Sequence, residues 1–199
     1  MAEKTPTPAR LEAFSDGVIA VIITVMVLDL KVPHGDGLAA LRTLAPAVAV
    51  YLLSFAFCGI YWLNHQHLVH RTQRAGHTMQ CANLAFLFCL SLLPFSTAYV
   101  VEKEMSGPAV SLYASTLLIV ALSFLLLRIT VYSHLRHLNA FSEEDRKGFR
   151  YHMISLSLYA IAVVTGVFFP KSVLWSIAIL TFLWAVPNLS LRTIKQQRV

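Results

Sequence analysis

Two short stretches of this sequence combine residue types that can carry out chemistry. The first is Arg10-Leu-Glu12-Ala-Phe14-Ser15-Asp16, which sets a cation, two acids and a hydroxyl ahead of an almost wholly apolar run, residues 17–28. The second is Trp62-Leu-Asn64-His65-Gln-His67, followed by His70 and His77. Carboxylates and imidazoles together can hold a metal, relay protons or hold a polar network in place. A metal centre needs three or four ligands at fixed geometry, commonly with carboxylates among them. The histidines have no Asp or Glu beside them in sequence; only Asp16, across the first hairpin, is a candidate. No metal site and no cofactor is expected, and these histidines read as interfacial residues with pH sensing as the alternative. No Ser-His-Asp, Cys-His or phosphate-loop arrangement is visible, so the chain does not read as an enzyme. Cys58, Cys81 and Cys89 lie in apolar stretches without paired spacing and read as small buried hydrophobes.

The elements that must position these residues are membrane helices. The chain of 199 residues is 57% hydrophobic and 13% charged, whereas a soluble domain carries about 25% charge. The basic residues sit between apolar runs, so no nucleic-acid partner is expected. Residues 1–9 are polar, hold two Pro, and read as a disordered lead-in. Residues 13–30 reach roughly 27 Å as a helix, close to a hydrocarbon core of about 30 Å. Further apolar runs cover residues 44–63, 81–101, 105–127, 151–169 and 172–191, with Pro94 inside the third and Pro187 near the end of the sixth. Pro94 should kink its helix and free a carbonyl. Strands of a barrel would be shorter and alternating, so an all-α bundle of six spans in one domain, residues 1–199, is expected. Between the fourth and fifth runs, Glu143-Glu144-Asp145 reads as a solvated helix start capped by Ser142.

Charge placement sets the orientation. With a cytoplasmic N-terminus, six spans return the C-terminus to the same side. The inner segments then hold Lys4, Arg10, Arg71, Arg74, Arg128, Arg136, Arg146, Lys147, Arg150, Arg192, Lys195 and Arg198, against only Lys31, Arg42, Lys103 and Lys171 outside. That bias is the positive-inside pattern of a multi-pass integral membrane protein.

An Asp in a spanning segment costs on the order of 2.5 kcal/mol near the bilayer centre and less near its edge, so Asp16 needs an offset. The first two spans must be antiparallel, joined by the turn around His34 to Gly37. Equal lengths counted back from that turn bring Trp62, Asn64 and His65 to the level of Arg10, Ser15 and Asp16. The carboxylate could then accept from an indole N–H, an amide and an imidazole. The plainer alternative is that these side chains rest in the interface.

At 100° per residue, Gly17, Val21, Thr24, Val25 and Leu28 share one stripe of the first helix, apolar except for the Thr24 hydroxyl. Periodicity alone fits helix packing. It also fits an ion pathway if several copies of the helix surround an axis, with rings of Val and Leu as dewetting constrictions. Ile22 and Ile23 face the bundle in that arrangement. A secondary cation transporter would show paired repeats and helices broken at mid-membrane, and no internal repeat is visible. A proton-conducting pathway through Thr24 and water is the nearer alternative.

Arg10-x-x-x-Phe14-Ser15-Asp16 followed by an apolar helix carrying Thr24, together with Trp62-x-Asn64-His65 and the six-span layout over the whole chain, resembles the transmembrane protein 175 type potassium channels. These occur in bacteria and in endosomes and lysosomes. The resemblance implies a homotetramer of six-span subunits in a bacterial plasma membrane, with the first helices around the pore. It implies that monovalent cations, K+ above all, pass without voltage gating. Matched to this chain, the narrowest ring falls on Val21, with Thr24, Val25 and Leu28 lining the rest. Family members usually carry Ile or Leu at the ring, so Val21 implies a wider gap. Arg10, Phe14, Ser15, Asp16, Trp62, Asn64 and His65 are then the structural network that holds the helix. No Thr-Val-Gly-Tyr-Gly filter loop and no Arg-rich sensor is present.

Overall fold

The computed structural model describes residues 8–33, 35–72, 75–137 and 142–196, with side chains to Trp184. His34, Arg74 and residues 1–7 lie outside the described residues, as do the side chains of Pro187, Arg192 and Lys195 and the whole of Arg198. Every regular element among the described residues is helical: α1 (Pro8–Leu28), α2 (Gly37–Thr43), α3 (Ala45–His70), α4 (His77–Leu90), α5 (Leu93–Glu102), α6 (Gly107–His137), α7 (Glu143–Gly166) and α8 (Pro170–Gln196). Among the described residues, four segments are long and apolar enough to cross a bilayer: α1, α3, α4 with α5, and α6. Helix α8 is apolar over Pro170–Trp184, and α7 opens on a charged first turn.

Several boundaries differ from the expectation, each for a local reason. Pro8 and Ala9 open α1 and are not part of the lead-in, because Pro is tolerated where the helix N–H is unpaired anyway. The turn after the first span contains the short helix α2, which the Gly and Asp around it hid. Helix α3 does not stop at Leu63. Asn64 to His67 contain no breaker, and the helix runs on to His70, so the polar cluster is helical. Pro94 does more than kink its span. It has no N–H and crowds the carbonyl four residues back, so α4 ends at Leu90 and α5 restarts at Leu93. The Ser91 N–H still reaches Leu87 O at 2.9 Å, and Leu92 N–H turns to Cys89 O at 3.2 Å.

Helix α6 is the core of the subunit. Tyr113, Ala114, Leu117, Val120, Ala121, Phe124 and Leu127 are all buried on it. Its most apolar window is 56% buried, against 28% for α1, so most of α1 is left uncovered by its own subunit. The Ser54 hydroxyl on α3 lies 2.8 Å from the Thr97 hydroxyl on α5 and 2.9 Å from the Tyr113 hydroxyl on α6, a buried trio that ties three helices together. Helix α6 also runs past Arg128, which is buried and does not mark an exposed end.

Helices α6 and α7 meet most closely where α7 ends. A Cβ on Gly107 would stand 2.2 Å from the Val167 carbonyl oxygen, and one on Gly166 would stand 3.3 Å from Ser111 backbone. The Ser111 hydroxyl donates to Val163 O at 2.6 Å across the same crossing. Gly107→Val must therefore force the helices apart, at about 1–3 kcal/mol. Gly166→Ala, whose Cβ would press on Ser111 backbone at 3.3 Å without the outright collision at Gly107, should cost less. Thermal unfolding of the two variants in detergent checks the order, and equal midpoints would contradict it.

Candidate functional site

Helix α1 has two apolar faces. Leu11, Ser15, Ile19, Ile22 and Met26 are buried against the bundle. Gly17, Val21, Thr24, Val25 and Leu28 are exposed, Val21 at 59% and Leu28 at 80%. Ile22 is buried and Ile23 partly so. The Thr24 hydroxyl gives its proton to Ala20 O and Val21 O, both at 3.0 Å, so its oxygen turns lone pairs outward. The exposed stripe is thus apolar with a single acceptor.

Two neighbouring side chains hold α1 from different directions. The Trp62 indole on α3 donates to Asp16 Oδ1 at 2.8 Å. Ser15, one residue and 100° away, faces α4. Its hydroxyl donates to Leu11 O at 2.8 Å and accepts from Asn83 Nδ2 at 2.9 Å. The other side of that amide, Asn83 Oδ1, lies 2.7 Å from His65 Nε2. The carbonyl oxygen can only accept, so His65 carries its proton on Nε2. Ser15, Asn83 and His65 are almost wholly buried, and the imidazole stacks on Phe86 at 5.8 Å.

The structure therefore divides the residues singled out in the sequence. Trp62 reaches Asp16, and His65 reaches Ser15 through Asn83. Asn64 does not join them: its amide donates to Ile60 O at 2.8 Å in its own helix. Trp62 and Asn64 are 200° apart around α3, so both cannot face α1. Arg10 and Phe14 are exposed and lie outside the network. Asn83 was missed by sequence reasoning. Its signal is a lone amide in the apolar run Cys-Ala-Asn-Leu-Ala-Phe. The histidines disperse: His70 is exposed and 3.8 Å from Glu12, and His77 lies 3.6 Å from Cys81 Sγ. Among the described residues no group of His, Cys, Asp and Glu could hold a metal ion.

A second fastening lies in the charged connector ahead of α7. Ser142 and Asp145 form a capping box, with Ser142 N–H donating to Asp145 Oδ2 at 2.8 Å. Asp145 is not solvated as the sequence led us to expect. It is 6% exposed and paired with Arg71 at the end of α3. Burial pushes its carboxyl up, but the bonds from Ser142 N–H, Arg71 and the Ser142 hydroxyl outweigh burial and hold it below the usual carboxylate range.

With this geometry in place, the comparisons with known proteins can be read. Residues 10–94 match the family model described as endosomal/lysosomal potassium channel TMEM175. A potassium channel of Chryseobacterium sp. (strain P1-3) is 34% identical over 182 residues, which is 92% of this chain and 94% of that protein. The crystal structure of a lysosomal potassium-selective channel TMEM175 homologue from Chamaesiphon minutus superposes with a TM-score of 0.69. It shares 29% identity and covers 89% of this chain and 97% of that one. The endosomal/lysosomal proton channel TMEM175 of Mus musculus is 34% identical over 99 residues, 44% of this chain and 20% of that protein.

Asn83→Ala removes both bonds of a fully buried relay and should cost about 2 kcal/mol or more. Asn64→Ala loses only a bond within its own helix and should cost less. Thermal midpoints in detergent report the difference, and an Asn64→Ala loss equal to that of Asn83→Ala would contradict the relay.

The Asp145 carboxyl is lower in the folded chain than its unfolded value of about 3.9. Its contribution is fully present above about pH 4 and is lost as pH falls through the lowered value. Wild-type stability should thus fall on acidification below about pH 4. Asp145→Asn should be less stable at neutral pH but flatter across the acid range. Parallel curves for the two proteins would show that this carboxyl is not the source.

Proposed function

The chain belongs to the TMEM175 family, and from that premise we propose that it is a potassium-permeable cation channel whose pore is lined by the exposed stripe of α1. In this reading the functional unit is a homotetramer of six-span subunits with both termini cytoplasmic, in a bacterial plasma membrane. Four α1 helices surround the axis. Val21 forms the narrowest ring, Val25 and Leu28 form further apolar rings, and the Thr24 oxygens offer one hydrated stop for a K+ ion. It requires no cofactor, and a channel of this kind is not an enzyme.

The observation that carries the pore assignment is the contrast between exposed faces. On α8 and the turn before it the exposed side chains include large rings: Phe168, Trp175 and Phe182 are each at least 70% exposed, as suits a surface against lipid. The exposed stripe of α1 is built from Gly17, Val21, Thr24, Val25 and Leu28 instead, with no aromatic ring. Small residues let helices approach closely, which a tight ring of four requires. One stripe cannot enclose a pathway, so several copies are needed. The near-complete coverage of the Chryseobacterium channel supports one six-span unit per chain.

Proton conduction is the second reading, supported by the proton-channel relatives among vertebrates and by the Thr24 oxygen within an otherwise apolar path. A coupled transporter has less support, since no acid lies on the α1 stripe. Purified protein in liposomes separates these readings. A potassium gradient should drive flux and set a reversal potential far from that of sodium. Proton flux without potassium flux would favour the second reading.

Ring size should control the current. Val21→Asn places polar atoms where water is scarce and should raise conductance while reducing discrimination between K+ and Na+. Ile22→Asn buries an unpaired amide and should lower stability by several kcal/mol without a matching change in permeation. Single-channel recordings of both variants decide: unchanged permeation in Val21→Asn would mean that the stripe is not the pore.

A further inference from the structure

Helices α3, α6, α7 and α8 line a partly open cavity of about 130 Å³ with both polar and apolar walls. That is several times the ~30 Å³ that one water occupies in the liquid. No residue of α1 lines it, so it is separate from the proposed conduction path. Its wall holds Arg128, Tyr61, Tyr159, Asn64 and His152.

Arg128 is 7% exposed. Its Nη1 donates to Gly148 O at 2.6 Å, and its guanidinium carbon lies 5.3 Å from the Phe124 ring and 5.8 Å from the Tyr132 ring. Its Nε has no partner among the described residues, and none of the described carboxylates pairs with it directly. The nearest relevant acid, Asp145, is taken by Arg71 and the Ser142 cap. One carbonyl dipole and two ring faces offset only part of the cost of a buried guanidinium, which cannot shed its charge.

The remaining wall holds neutral donors and acceptors but no negative charge. Tyr61 and Tyr159, 6% and 4% exposed, bring neutral hydroxyls to the same wall. Asn64 spends one N–H on Ile60 O and keeps a second. His152 Nε2 donates to Ala121 O at 2.9 Å and brings no negative charge. Water could satisfy the hydroxyls, but it would leave the cation without a counter-charge.

We propose that this cavity binds a phosphate-type oxyanion, with Arg128 as its charge partner and the Tyr61 and Tyr159 hydroxyls as further donors. Such a group accepts several hydrogen bonds at once and matches the planar donor edge of arginine. Arg128 directly follows the apolar run 105–127 within α6, a helix long and apolar enough to cross a bilayer. The phosphate can therefore come from an anionic lipid headgroup or from free solution, and the two are separable.

The test uses the full chain in detergent with two probes: inorganic phosphate at constant ionic strength, and short-chain phosphatidylglycerol. One of them should raise the thermal midpoint of the wild type in a saturable way. Stabilisation by phosphatidylglycerol alone assigns a lipid source, and stabilisation by inorganic phosphate assigns free oxyanion. Arg128→Gln should weaken the apparent affinity at least about tenfold. Tyr159→Phe, which keeps the ring, should weaken it severalfold. Ser155→Leu, which fills the cavity from α7 and leaves Arg128 in place, should abolish the effect, and it decides the matter if Arg128→Gln does not fold. No stabilisation of the wild type by either probe, or stabilisation unchanged in Tyr159→Phe and Ser155→Leu, overturns the proposal.

Discussion

The pair of hydrogen bonds that fixes the rotation of α1 is the constraint on which the rest depends. Both faces of this helix are apolar, so hydrophobic burial alone cannot choose between Ile19, Ile22 and Met26 on one side and Val21, Val25 and Leu28 on the other. Ser15 and Asp16 make the choice. They project 100° apart and are held by different helices, Ser15 by Asn83 on α4 and Asp16 by Trp62 on α3. A rotation by one residue would break both bonds and leave the buried Asn83 amide N–H and the partly buried Asp16 carboxylate unmatched, each at about 1–3 kcal/mol. The face left outward is therefore specified by polar chemistry at one end of the helix.

The subunit divides its labour along α6. One side carries α3, α4 and α5, and these present α1. The other carries α7 and α8, whose outward side chains are bulky and apolar. The first side is tied to α6 by the Ser54–Thr97–Tyr113 hydroxyl trio, and it is tied to α7 by Arg71 with Asp145 at the expected cytoplasmic edge. Helix α7 is thus fastened at its start by a cap and an ion pair, and at its end by the Gly107 and Gly166 approach. Polar groups in this molecule act mainly as such fasteners, as expected where hydrophobicity cannot distinguish one helix face from another.

Much of this was legible in the sequence, and the exceptions have physical causes. Residue periodicity placed Val21, Thr24, Val25 and Leu28 on one stripe because the helix repeat is local. The antiparallel first hairpin brought Trp62 to Asp16 because a short turn leaves little freedom. The Ser142 cap could be read because capping is local too. Contacts that depend on helices distant in sequence could not be read. Asn83 meets Ser15 across 68 residues, and nothing near either residue marks the other. Asp145 looked solvated among Glu143, Glu144 and Arg146 because its partner, Arg71, arrives from another loop. Arg128 looked like the end of a span, although α6 continues to His137 and α7 packs against the guanidinium through Gly148. Asn64 shared a motif with Trp62 and His65, but adjacency in a helix separates faces.

The central claim is that the outward stripe of α1 faces a water-filled path shared by several subunits. Its most direct test is thiol accessibility in a variant lacking Cys58, Cys81 and Cys89, with one cysteine introduced at Val25 or, separately, at Ile22. A small cationic, membrane-impermeant thiol reagent is added to liposomes during potassium flux. The account predicts rapid modification and loss of flux for Val25→Cys, and neither for Ile22→Cys. An unreactive Val25→Cys with undiminished potassium flux would place that stripe against lipid and contradict it.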